Sequence, residues 1–134
     1  METLKANIKE AEGLRLYPYR DSTGHLTIGY GRCLENGISK AEAEIMLEAD
    51  LYHASDQYLR IPCGKIKYLN QNRRRVIVEM IFNLGLGGVL KFKKMWAAII
   101  AGDFDLAAEE MLDSRWARQV KGRAVRMAYE MRDG

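Results

Sequence analysis

The chain has 134 residues, 48% of them apolar and 29% charged, with a formal net charge of +3. That length and balance suit one folded domain with its own core, and no apolar run approaches the ~20 residues of a membrane span. The mild positive charge fits an anionic partner without demanding one, and the spacing of Cys33, Cys63 and the histidines resembles no metal site.

The N-terminal run Met-Glu-Thr-Leu-Lys carries no apolar secretory core, so no signal peptide is expected. From Glu2 to Glu12, Leu4, Ile8 and Ala11 recur at helical spacing, and Gly13 closes the helix. Arg15 to Arg20 reads as an edge strand, because Pro18 cannot donate to a ladder. Asp21-Ser22-Thr23-Gly24 is turn chemistry, and His25 to Tyr30 reads as the returning strand. Arg32 to Glu35 predicts a short third strand, closed by the Asn36-Gly37 turn.

Ser39-Lys40-Ala41-Glu42 is a capping box, and Ala43, Leu47, Leu51, Ala54 and Tyr58 continue a helix to Leu59 or Arg60, before Pro62 and Gly64. Asn70 or Asn72 caps the next helix, which carries Val76, Ile77, Met80, Ile81 and Leu84 and ends at Gly85-Leu86-Gly87-Gly88. Three more helices are predicted: Phe92 to Ala101, Asp103 or Phe104 to Leu112, and Arg123 to Arg132. Ser114 caps a short turn that holds Trp116. Successive helical residues spread around the circumference, so Arg73-Arg74-Arg75 makes no flat basic stripe, and no nucleic-acid partner is expected.

The chemistry concentrates between Glu12 and Gly31. Glu12 stands at a helix end, Asp21 at a hairpin turn, and Thr27 on a strand beside Gly29 and Gly31. Two carboxylates with a positioned hydroxyl can hydrolyse a glycosidic bond: one protonates the leaving oxygen and the other supports attack by water. Glycine flanking Tyr30 marks a close approach of backbone or ligand.

This stretch, E-G-L-R-L-Y-P-Y-R-D-S-T-G-H-L-T-I-G-Y-G, resembles the catalytic segment of the phage-type lysozymes, the muramidase family of T-even phage endolysins and their relatives (glycoside hydrolase family 24). Ser39 to Asp50, Ile81-Phe82-Asn83-Leu84-Gly85, Asp105 to Ala108 and Ser114-Arg115-Trp116 resemble the family's later segments in the same order. The resemblance implies a mainly α, α+β, two-lobed lysozyme-like fold with its cleft between lobes. The small β-containing lobe falls at about 13–38, the connector helix at about 39–60, and the helical lobe at about 61–134 with helix 2–12 packed on it. The family's extra helix is missing between Arg32 and Ser39, where this chain has six residues.

The resemblance implies Glu12 as general acid, Asp21 as base or electrostatic partner and Thr27 as holder of the attacking water. It places sugar contacts at Gly31, Cys33, Phe82, Asn83, Met95 and Glu110, an arginine facing the acid at Arg123, and a supporting pair at Arg32 and Asp50. The implied reaction is inverting hydrolysis of the β-1,4 bond between N-acetylmuramic acid and N-acetylglucosamine, with no metal or organic cofactor. The implied partner is bacterial peptidoglycan, met by a monomer with no stable membrane association. Synthesis in the host cytoplasm without a signal peptide then requires release to the periplasm, for which a holin is the implied carrier. Two other classes remain open: a lysozyme-like module that binds wall without cutting it, and a basic helical nucleic-acid binder. A zymogram separates the first from an enzyme, and a gel shift with a steep salt slope reveals the second. Cys33 and Cys63 flank the ~30 Å connector helix, too far apart for a disulfide, so two free thiols are expected.

Overall fold

The computed structural model describes residues 1–134, which divide into two compact units, Met1–Met46 and Leu47–Gly134. The first unit begins with α1 (Glu2–Glu12), which Gly13 ends at φ 72°, its N–H bonded to the Lys9 carbonyl. A three-stranded antiparallel sheet follows, in the order β1 (Arg15–Arg20), β2 (Leu26–Gly29), β3 (Arg32–Cys33). Its register pairs Tyr19 with Thr27, and Thr27 with Cys33. The β1–β2 ladder breaks register between Arg15 and Tyr19. Pro18 lies in that interval and supplies no N–H, so a bulge there matches the chemistry.

The third strand is two residues long where Arg32 to Glu35 is expected. Pairing does not stop abruptly, because Leu34 N–H still reaches the Leu26 carbonyl at 2.8 Å. Glu35 then substitutes its side chain, whose Oε1 accepts from Leu26 N–H at 3.3 Å. The helix α2 (Lys40–Tyr58) follows, with the Ser39 hydroxyl accepting from Glu42 N–H at 3.1 Å. Only the first half of the capping box forms, since the Glu42 carboxylate goes to Arg32. The boundary between the units falls within α2, and α1 groups with the strands, whereas the resemblance assigns it to the helical lobe. Its apolar residues are too sparse to build a core of their own: Leu4 is 54% and Ile8 46% exposed.

The second unit is entirely helical: the remainder of α2, then α3 (Cys63–Ile66), α4 (Gln71–Leu90), α5 (Lys93–Ile100), α6 (Phe104–Leu112), α7 (Arg115–Val120) and α8 (Gly122–Asp133). Asn70, Asp103 and Ser114 each accept a main-chain N–H at the start of α4, α6 and α7. These caps satisfy donors that a helix start otherwise leaves open. Within α4, Gly85 takes φ 78° and ψ 159°, so the helix breaks and resumes for one further turn. The core joins Val76, Ile77, Met80 and Ile81 of α4 to Trp96 and Ile99 of α5, Met111 of α6, and Met127 and Met131 of α8. The indole N–H of Trp96 within it is satisfied, donating to the Val89 carbonyl at 3.0 Å.

The three consecutive arginines of α4 diverge, as helical geometry requires. Arg73 donates to the carbonyls of Met131 at 2.6 Å and Arg132 at 2.8 Å, satisfying open acceptors at the end of α8. Arg74 lies over the Tyr58 ring, and Arg75 reaches Asn72. Cys33 and Cys63 are both unbridged. No helix is long and apolar enough to cross a membrane.

Candidate active site

The first unit holds Glu12, Asp21 and Thr27, each fixed differently. Glu12 is the last residue of α1, and its carboxyl lies against the α-carbon of Gly31. A methyl group placed on Gly31 would stand 2.6 Å from Glu12 Oε2 and 2.9 Å from its Cδ. Gly31 also has φ +78°, which L side chains rarely adopt. Two independent demands thus require glycine at 31. One turn earlier on α1, the Lys9 ammonium lies over the Tyr30 ring, 5.4 Å from its centroid. Helix end and strand turn therefore meet at two adjoining points, and the contact with Gly31 seats the carboxyl.

Asp21 closes the β1–β2 turn as an Asx-turn acceptor. Its Oδ1 accepts from Thr23 N–H at 2.9 Å, the Thr23 hydroxyl at 2.8 Å and His25 N–H at 2.8 Å. All three bonds fall on one oxygen, so Oδ2 takes none of them. The His25 main-chain N–H does most to hold this exposed carboxyl below its ordinary range, followed by the Thr23 hydroxyl. With the Thr23 proton on Asp21, its 2.6 Å contact with His25 Nδ1 makes the imidazole nitrogen the donor.

Thr27 sits on the central strand, 3% exposed, and is the chain's one buried polar side chain. Its hydroxyl donates to the His25 carbonyl at 2.9 Å. The proton is thereby committed, and toward any further group the oxygen can act only as an acceptor. The His25 main chain binds Asp21 through its N–H and Thr27 through its carbonyl. Neither His25 nor Thr23 stands out in the sequence as a site residue. The signal was present, since hydrogen-bonding residues two and four positions after a turn aspartate are placed to close an Asx turn.

A model of the phage lysozyme family matches residues 9–132. The chain belongs to the phage lysozyme family. It is 30% identical to the pre-baseplate central spike protein of Enterobacteria phage T4 over 148 aligned positions, covering 90% of this chain but only 26% of the spike protein. It is 26% identical over 163 positions to probable T4-type lysozyme 1 of Dictyostelium discoideum, covering 100% of this chain and 96% of that protein. An endolysin of Acyrthosiphon pisum secondary endosymbiont phage 1 is 27% identical over 118 positions, with 83% of this chain and 75% of the endolysin covered. The chain thus spans about a quarter of the spike protein and nearly all of the Dictyostelium lysozyme.

In this phage lysozyme family member Arg123 and Arg32 each hold a carboxylate within their own unit. Arg123 Nε donates to Glu79 Oε2 of α4 at 2.8 Å. Arg126 Nη2 meets the same oxygen at 2.7 Å and reaches Glu130 through Nη1 at 3.2 Å. Burial pushes the Glu79 carboxyl up, but the guanidiniums of Arg126 and Arg123 together outweigh it and hold it below its ordinary value. Arg32 pairs with Glu42 at 2.5 Å, within the first unit. Met95 is 1% exposed, because α5 turns Met95, Trp96, Ala98 and Ile99 into the core. It packs in the core of the second unit.

The other expected sugar contacts lie closer to the surface. Cys33 is half-buried and directly opposite Thr27, hence on the same face of the sheet. Phe82 is 39% exposed. Asn83 accepts the Trp116 indole N–H at 2.6 Å, which leaves its amide nitrogen as the free end. Glu110 is half-buried on α6. No group of three or more His, Cys, Asp or Glu side chains is placed to hold a metal ion.

Proposed function

We propose that the chain is a peptidoglycan hydrolase that cleaves the β-1,4 bond between N-acetylmuramic acid and N-acetylglucosamine with inversion, acting as an endolysin in host lysis. The observation that carries this reading is the Glu12 carboxyl seated on Gly31 at a helix end, in the same compact unit as the Asp21–His25–Thr27 network. Glu12 is the general acid toward the leaving oxygen. A carboxylate held at low pKa is a weak base, so Asp21 orients the water and stays ionised beside an oxocarbenium-like sugar until the C–O bond forms, when it takes the water's proton and passes it to solvent. The attacking water donates one hydrogen to Asp21 Oδ2 and the other to Thr27 Oγ1, whose own proton is held by His25. That leaves a water lone pair for the anomeric carbon. Peptidoglycan lies in the periplasm, so the reading includes release across the inner membrane, with a holin as carrier.

A turbidity assay on outer-membrane-permeabilised Gram-negative cells tests it, with wild type beside Glu12→Gln. The amide keeps the shape and cannot donate the acid proton, so lysis should fall roughly 10²–10⁴-fold. A folded variant that retains more than about a tenth of the activity would remove Glu12 from the role. Inversion requires the α-anomer first from a β-linked substrate, readable by early-time proton NMR on a soluble peptidoglycan fragment.

A further inference from the structure

A groove of about 400 Å³ lies in the surface of the second unit, between α6 and α8. Small side chains form its floor, where Ala108 and Ala128 are both buried. Large apolar side chains stand exposed along it: Leu112, Val125 and Tyr129. Asp105 and Glu109 line the α6 side, and neither forms an ion pair within the chain. Arg132 lines the α8 side and lies over the Tyr129 ring, 4.6 Å from its centroid. Its Nε and Nη2 donate to Asp133, which leaves Nη1 open. The Asp133 carboxylate does most to hold Arg132 above its ordinary value, and the Asp105 charge adds to it across the groove. The start of α6 therefore lies by the end of α8, and the two packed helices run antiparallel. Their spacings match. Asp105, Glu109 and Leu112 stand at i, i+4 and i+7 on α6, as Val125, Tyr129 and Arg132 do on α8.

We infer that this groove is the contact surface of a symmetric dimer, in which a two-fold axis runs along the groove and lays α6 of each copy on α8 of the other. Rotation about that axis keeps each residue's place along the groove and exchanges the two sides. Asp105 then faces the partner's Arg132, Glu109 faces the partner's Tyr129, and Leu112 faces the partner's Val125. Each contact occurs twice, as an isologous interface requires. A carboxylate meets a guanidinium, a second carboxylate meets a phenol that can donate to it, and two aliphatic side chains meet each other. The surface is thus complementary to itself in charge and in apolar character. An anionic lipid surface is a poorer occupant, because Asp105 and Glu109 would face it. A foreign helix would have to bring the same pattern of acid, base and apolar residues that the chain already carries. The family resemblance implies a monomer, and this surface points the other way.

Sedimentation equilibrium tests this, from about 10 µM to about 1 mM protein at low salt. The mass should rise with concentration from 15.3 kDa toward twice that value. Two single variants then decide which side chains meet. Asp105→Arg sets two arginines face to face, and Arg132→Asp sets two aspartates face to face. Each should weaken self-association about tenfold or more. Mixed in equal amounts, the two variants should pair with each other about as strongly as wild type with itself, because both contacts of the mixed pair join opposite charges. Recovery on mixing cannot come from folding or from contacts inside one chain. Both side chains are exposed, so the melting temperatures should hold. Tyr129→Glu places a like charge before Glu109 and should weaken association independently. Wild type that stays at 15.3 kDa up to about 1 mM overturns the dimer. Single variants that associate like wild type, or a mixture no stronger than either variant alone, overturn the facing of α6 on α8. None of these readouts involves cell wall, so the hydrolase reading and the dimer stand or fall separately.

Discussion

Asp21 and Thr27 bond to the same carbonyl. The Asp21 N–H and the Thr27 hydroxyl both donate to His25 O, each at 2.9 Å. The β1–β2 turn and the central strand are thereby held in one register. Replacing Thr27 by Val removes the hydroxyl and keeps the branched shape. The His25 carbonyl still holds the Asp21 N–H, so the stability change should stay within about 1 kcal/mol. Activity should drop on the order of 10²-fold, because the water loses an acceptor. Thr27→Ser should recover much of it. Equal losses in both variants, measured as kcat on purified peptidoglycan, would assign Thr27 to packing alone.

The Asp21 carboxyl should titrate below 3.8, and Thr23→Val should move it upward. The sign follows from linkage: a depressed carboxylate contributes stability above its unfolded pKa, and this is lost as pH falls through the folded value. An acid limb in the rate profile due to Asp21 therefore lies below the usual carboxylate range in wild type and rises in Thr23→Val. Carbon-13 NMR of the Asp21 carboxyl reads the shift directly. An unchanged titration in the variant would mean the threonine hydroxyl does not hold the carboxylate.

Gly29 and Gly31 provide a controlled comparison. Both have positive φ, 68° and 78°, but only Gly31 faces the Glu12 carboxyl. Either alanine variant should cost roughly 1–2 kcal/mol of backbone strain. Gly31→Ala should lose far more activity than Gly29→Ala, because its methyl displaces the Glu12 carboxyl. Matched activities at matched stability would mean that the position of Glu12 does not matter.

Much of the fold is readable from local chemistry. Glycine after Glu12, the Ser39 cap and the asparagine before α4 act over three or four residues, and the bounds of α1 and α2 follow. The strand ends are less readable, because Glu35 continues the β3 pairing with a side chain. The short α3 hides behind Pro62 and Gly64, which read as breakers although Pro62 begins it. The choice of ionic partner is the least legible. With 18 acidic residues in the chain, nothing in spacing tells Arg123 to take Glu79 forty-four residues away, or Arg32 to take Glu42. These pairings depend on side-chain reach after the helices have packed.

Glu79→Gln should destabilise the protein by about 1 kcal/mol near neutral pH, since both partners are partly exposed and screened. Glu79 titrates below its ordinary 4.5, so its contribution is present above that value and fades as pH falls through the folded pKa. The gap in melting temperature between wild type and variant should therefore close in acid. A gap that persists well below pH 4.5 would point to lost packing and not to lost charge.

Arg73 and Met131 are fifty-eight residues apart in the chain, yet the guanidinium of one holds the carbonyl of the other. The buried face of α8, with Ala124, Met127 and Met131, belongs to the same core as Val76 and Ile77. On the ribosome, α4 is complete long before α8, one of the elements that cover it, exists. Until Met131 has cleared the exit tunnel, the apolar side of α4 has no α8 to lie against, and the nascent chain carries that surface uncovered. Closure of this unit is therefore a late event in synthesis, and slow translation over residues 91–131 lengthens its exposure to chaperones and to other chains.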